Sequence, residues 1–162
     1  MTPRSQLRLY FHGSLFIALA MAFGTPGLWL TFNYTFLDGY RQFVRQSHVI
    51  LVMTGIWMTA AGAILPMMSL SPRAISTIVW TLVSSGYLFI VAIILLGILL
   101  KVLGPQPATL SQWQILSNAP YYLQYVYLTL LSVSGLTSFI PGVLLVAGAR
   151  NGLRQYVQDS VR

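Results

Sequence analysis

His12 and His48 are the only histidines in the chain, and each stands at the mouth of a long apolar run. Imidazole is the commonest metal-ligating side chain, and an ionisable group at membrane depth is costly and points to function. His48 opens the run that ends at Met68. Positions seven and eleven further along a helix return to nearly the same face. That places Gly55 and Thr59 below His48, and Ala63 continues the small-residue row. Such rows allow another flat surface to come close. Two partners suit it: a second helix, or a metal macrocycle ligated by His48 and lying against Gly55 and Thr59.

Counting ligands narrows the metal. A catalytic zinc takes about three protein ligands, and Asp38 is the only acid anywhere near His48. A porphyrin supplies four of iron's ligands itself, so haem b is the metal cofactor this composition can hold. His12 and His48 begin successive antiparallel spans, which predicts a separation on the order of 30 Å. One subunit then cannot bring both to one iron. A singly ligated iron keeps an open position, unless Met53, Met58 or a neighbouring subunit fills it. The chain has no cysteine, which excludes thiolate-held clusters, covalently attached haem and disulfides. It has no catalytic triad, carboxylate pair, P-loop or dinucleotide fingerprint. Nor do its apolar runs hold the acids that a charge relay needs.

The elements that must position these residues are membrane spans. The 162 residues are 56% hydrophobic and 7% charged. Lys, Arg, Asp and Glu are missing from four stretches, 11–37, 48–68, 74–100 and 119–149. Each is long enough to cross a bilayer, which takes about 20 residues. The expectation is an all-α, integral-membrane four-helix bundle in one domain, 1–162, with helices at about 10–36, 47–66, 74–103 and 119–149. Gly24-Thr25-Pro26-Gly27 should break the first helix and Pro141 should kink the fourth. Leu37 to Gln46 reads as a loop, and the stretch around Trp113 as an interfacial segment. Tyr121, Tyr122, Tyr125 and Tyr127 read as an aromatic belt.

Arg4 and Arg8 before an apolar stretch, with Ala18-Leu19-Ala20, imitate a signal peptide. The run continues to Phe32, which is span length rather than signal length. The formal charge of +7 belongs to helix ends in contact with the bilayer and predicts no nucleic-acid partner. Arg4, Arg8, Arg73, Arg150, Arg154 and Arg162 fall on one side of a four-span arrangement, and Arg41, Arg45 and Lys101 on the other. The bias predicts a multi-pass protein with both termini cytoplasmic.

An ordered set of short motifs resembles the styrene oxide isomerases: His12-Gly13, Phe23-Gly24, Gly27-Leu28-Trp29, Gly39-Tyr40, Arg45-x-x-His48, Gly55 and Leu65-Pro66. The resemblance covers roughly residues 10–66 and is topological beyond residue 70. It implies a homotrimer with ferric haem b between neighbouring subunits and His48 as axial ligand. It also implies a hydrophobic epoxide as substrate, rearranged to an aldehyde by Lewis-acid catalysis. Thr54 stands where the family has an asparagine, and Trp80 and Thr81 where its third helix has an acid. Tyr87 is the candidate for the family's active-site tyrosine. Thr54 and Tyr87 are therefore the expected catalytic residues, and His48, Gly55 and Thr59 the expected cofactor contacts. Two other readings fit the same residues: a haem-binding relative that senses or carries electrons, and a cofactor-free accessory subunit of a membrane complex.

Overall fold

The computed structural model describes the backbone of residues 3–33, 38–103 and 112–160, and side chains over 4–22, 44–45, 47–99, 114, 116–154 and 156–158. It is all-α. Four long helices, α1 (Pro3–Asn33), α2 (Asp38–Ile64), α3 (Pro72–Leu103) and α5 (Tyr121–Ser160), are joined by a short one, α4 (Gln112–Ser117). Among the described residues, three segments are long and apolar enough to cross a membrane: Ser47–Met67, Pro72–Leu99 and Tyr121–Gln158. The bilayer accounts for the large apolar side chains left on the outside, such as Ile94, Ile98, Leu136 and Phe139.

The helices run past the expected limits. α1 starts at Pro3, α2 at Asp38 and α5 ends at Ser160. Charged residues had marked where the chain leaves hydrocarbon. Arg and Gln are nonetheless good helix formers, so the backbone stays helical through Arg41, Arg45, Arg150 and Arg154. The expected loop Leu37 to Gln46 is helix from Asp38 onward, and α1 is helical through Gly24-Thr25-Pro26-Gly27. Residues 34–36, once assigned to the first span, lie outside the described residues. At 40 residues, α5 is ~60 Å long, twice the hydrocarbon thickness of about 30 Å.

Local chemistry sets the other ends. Pro66 falls in a 3-10 turn, Leu65–Met67, that closes the second span. Ser71 caps α3, its Oγ accepting from the Ala74 N–H at 3.2 Å, and Pro72 follows where its missing donor costs nothing. The connecting turn is tied to α5, with the Ser69 N–H donating to the Gly148 carbonyl at 3.3 Å.

α1 packs chiefly on α2, and α3 on α5. Leu9, Phe16, Leu51, Met58, Ile78 and Leu82 join the two pairs in one buried core. A second cluster, including Leu96, Leu99, Leu116 and Tyr127, closes the other end. Between the clusters, buried Ser134 on α5 donates its hydroxyl to the Ser85 carbonyl on α3 at 2.9 Å.

Candidate active site

His48 faces α1. Its Nδ1 lies 2.8 Å from the carbonyl oxygen of Ala20. A carbonyl only accepts, so Nδ1 carries the proton and donates it. In a neutral imidazole that leaves the lone pair on Nε2. This is the arrangement by which proteins orient a metal-ligating histidine, the second nitrogen held by a carbonyl or carboxylate. The ring is half-buried, and among the described residues Nε2 has no partner. No three of His, Cys, Asp and Glu come together among the described residues. The donor set is therefore a single imidazole, which fits a macrocycle that brings its own equatorial ligands.

The close approach of the two helices rests on glycine. A Cβ added to Gly55 would lie 2.7 Å from the Gly13 carbonyl oxygen and 3.1 Å from the Ile17 nitrogen. One added to Gly13 would collide with Thr59 Oγ1 and lie 2.9 Å from the Gly55 carbonyl oxygen. Thr59 Oγ1 donates to the Gly55 carbonyl at 2.9 Å, which turns it back along its own helix. The partner of Gly55 and Thr59 is thus α1, whereas Ala63, expected to continue the row, is exposed and Gly62 meets Leu9 and Tyr10 of α1 in its place. Gly55 and Thr59, expected to lie against a macrocycle, are filled by a helix and corrected to helix-packing residues. Their effect on His48 is indirect, since they bring the Ala20 carbonyl within reach. The spacing of Gly13 and Ala20, seven residues on one face, is the signal that would have pointed to this partner.

His12 also differs from expectation. Because both helices extend beyond the apolar runs, the two histidines lie within helices rather than at opposite membrane faces. Ala20 is level with His48, so eight residues of rise separate the histidines along the axis, ~12 Å. That is well short of 30 Å and still too far for one iron within one subunit. His12 has another partner. Its Nδ1 shares a hydrogen bond of 3.1 Å with the Tyr87 hydroxyl, and the rings meet edge to face at 5.7 Å. Phe16 supports Tyr87 from the core side, edge to face at 5.5 Å. Above this pair, the Arg8 guanidinium lies 5.7 Å from the Trp80 ring centre.

A cavity of about 380 Å³ opens between α2, α3 and α5. Val49, Ile50, Met53, Thr54 and Trp57 form its α2 wall; Leu82, Ser85 and Phe89 form the α3 wall, and Ser138 comes from α5. Thr54 thus lines the cavity. Tyr87 is not among its lining residues. It falls roughly 140–200° around α3 from Leu82, Ser85 and Phe89. His48 is not among the lining residues either, although its neighbour Val49 is; the α2 lining positions fall roughly 100–180° around the helix from it. Three loci emerge: the His48 ring on the α1–α2 side, the His12–Tyr87 pair between α1 and α3, and the cavity with Thr54. A single chain does not bring them together. Neither the cavity's serines nor the Ala20 carbonyl was singled out from the sequence, because each acts only through a helix distant in sequence.

Comparison with known proteins gives one result: the family profile described as styrene oxide isomerase matches residues 5–150. No curated protein matches the chain, and no solved structure matches it.

Proposed function

The chain belongs to the styrene oxide isomerase family, and from that membership we propose that it converts hydrophobic, styrene-oxide-like epoxides to aldehydes inside the membrane, with haem b held by His48. The observation that carries the cofactor reading is the 2.8 Å bond from His48 Nδ1 to the Ala20 carbonyl, which leaves Nε2 as a ready ligand. A bound ferric haem supplies a Lewis acid for the epoxide oxygen. The rest falls to the chain. α1 fixes the tautomer and direction of the imidazole through Ala20. The cavity takes the hydrocarbon part of the substrate against Ile50, Met53, Trp57, Leu82 and Phe89. Those apolar walls keep water away from electron-poor carbon, where capture by water would give a diol in place of an aldehyde. The rearrangement breaks the benzylic carbon–oxygen bond and moves one hydride from the oxygen-bearing carbon to the benzylic carbon. It is redox-neutral, so no external oxidant or reductant is required.

The placement of the loci favours a homo-oligomer, as a trimer provides. His48 itself does not line the cavity, and a neighbouring copy could present a second cavity to its Nε2. Tyr87, held by His12, would take part in the same way, from across a subunit boundary. Both termini are assigned to the cytoplasmic side on the arginine bias alone.

The test is spectroscopic first. Purified protein should show a Soret band that His48→Ala removes or shifts, and should turn styrene oxide into phenylacetaldehyde without added reductant. Folded, colourless protein would rule out the cofactor. A coloured protein inactive on a panel of epoxides would rule out the reaction while leaving haem binding standing. A resting spectrum of six-coordinate, low-spin iron would favour an electron carrier or sensor.

A further inference from the structure

His48 stands where hydrocarbon meets water. The apolar segment of α2 runs from Ser47 to Met67, so His48 is its second residue and Arg45 lies just outside it. Arg45 precedes His48 by three residues, which puts it about 60° around the helix and ~4.5 Å along the axis. Val52 and Ile56 fall on the same side, roughly 40° and 80° around from His48. Arg45 and Ile56 are exposed there, whereas Leu51 and Met58, on the other side, are buried in the core. His48 therefore sits on a seam. α1 takes its Nδ1 through the Ala20 carbonyl, and beside it runs an outer face with a cation at one end and hydrocarbon side chains along the rest. The Arg45 guanidinium has no ion pair or hydrogen bond among the described residues. The chain has nine Lys and Arg to two Asp and Glu, so it has few acids of its own to offer. The nearest in sequence, Asp38, is seven residues and ~10 Å of rise away.

We propose that Arg45 binds a carboxylate of the porphyrin whose iron His48 holds, and thereby fixes the direction of the macrocycle on α2. The inference deepens the cofactor reading and rests on haem b at His48. Haem b is amphipathic: its propionates leave one edge of a ring that is otherwise hydrocarbon. A carboxylate held in hydrocarbon without a partner is costly. Arg45 is the cation closest to His48 in the chain, and it stands beyond the end of the apolar segment. A guanidinium presents a planar fork of donors that pairs with a carboxylate through two hydrogen bonds. Arg45 thus takes the carboxylate edge at the membrane boundary, and Val52 and Ile56 meet the hydrocarbon edge on the lipid side. A ring turned the other way would bring its carboxylates against Val52 and Ile56 and leave Arg45 without an anion. Arg45 is accordingly a binding and orienting residue, distinct from the ligand itself.

The dimethyl ester of haem b keeps the iron and the ring but lacks the carboxylate charges, so it separates the two contacts. Apoprotein of the full chain is placed in nanodiscs of zwitterionic phosphatidylcholine, where no anionic lipid competes for Arg45. It is titrated with ferric haem b and with the ester, followed at the Soret band, and each constant is corrected for partition into protein-free nanodiscs. The wild-type chain should bind haem b about ten-fold more tightly than the ester, the factor of one charge-assisted hydrogen bond. Arg45→Gln should hold both porphyrins alike, near the ester's affinity, and Arg45→Lys should recover part of the preference. Arg73→Gln, at the start of α3 and the opposite end of the bundle, should keep the preference whole. His48→Ala should weaken both porphyrins. Equal binding of haem b and ester by the wild-type chain, or an equal loss of both in Arg45→Gln, overturns the Arg45 contact and leaves the iron site at His48 standing. The wild-type comparison needs no variant, so a misfolded Arg45→Gln does not shield the inference. Wild-type protein that binds neither porphyrin overturns the contact and the cofactor reading together.

Discussion

Gly55→Ala should weaken haem binding although Gly55 touches neither the cofactor ligand nor the cavity. The added methyl would lie 2.7 Å from the Gly13 carbonyl oxygen, where ordinary contact begins at 3.4 Å, so the helices must part by about 0.7 Å. Its obstacles include backbone atoms, the Gly13 oxygen and the Ile17 nitrogen, which cannot rotate aside. Moving α1 away by that distance stretches the His48–Ala20 bond from its 2.8 Å to roughly 3.5 Å, the outer limit of a hydrogen bond. Overpacking of this kind costs ~1–3 kcal/mol in stability. Loss of the carbonyl that orients a metal-ligating histidine costs roughly 10–100-fold in affinity. The assay is titration of haem into apoprotein in detergent, followed at the Soret band, beside a chemical unfolding curve. Gly148→Ala, whose methyl would meet only the Leu70 side chain at the distant α5 contact, serves as an overpacking control remote from His48. Gly55→Ala should lose affinity and Gly148→Ala should keep it. A Gly55→Ala protein that is destabilised yet takes up haem with unchanged affinity and spectrum would refute the link from helix contact to ligand.

Other expectations follow from the same coordinates. Gly86→Ala should be milder than Gly55→Ala, because its methyl meets only the flexible end of Met58 and the ring edge of Phe16; unfolding midpoints in the reverse order would contradict this. Tyr87→Phe and His12→Phe remove the same 3.1 Å bond, so the double variant should lose ~0.5–1 kcal/mol less than the sum of the singles; strict additivity would show the bond to be energetically silent. Ser71→Ala removes the α3 cap and should cost ~1 kcal/mol, with Ser71→Gly costing only a few tenths; equal losses would assign the effect to something other than capping.

Three spans were legible because hydrocarbon tolerates almost no charge, and the runs without Lys, Arg, Asp or Glu at 48–68, 74–100 and 119–149 coincide with the apolar segments of α2, α3 and α5 among the described residues. Helix ends were not. Arg150 and Arg154 mark an exit from lipid, yet the backbone's own hydrogen bonds carry α5 on to Ser160. Gly55 and Thr59 were legible as a contact face, Ala63 is exposed instead, and periodicity describes one helix and cannot name what lies against it. His48 stood out by its chemistry. Its protonated nitrogen could not be read, since that depends on a carbonyl 28 residues away. The His12–Tyr87 bond, across 75 residues, has no local signature at all, and the cavity exists only where three helices fail to touch.

The hydrogen bond from His48 to Ala20 bears on how the protein is made. Both partners belong to the first two helices, which leave the ribosome before α3 and α5 exist. Once that hairpin has formed in the bilayer, His48 already carries its proton on Nδ1 and its lone pair on Nε2. The cavity comes later, because its last wall, Ser138, and the Ser134–Ser85 bond that braces it belong to α5. Biogenesis is thus ordered by chain direction: the free lone pair of His48 is set during insertion, and the cavity is completed only after synthesis is nearly finished.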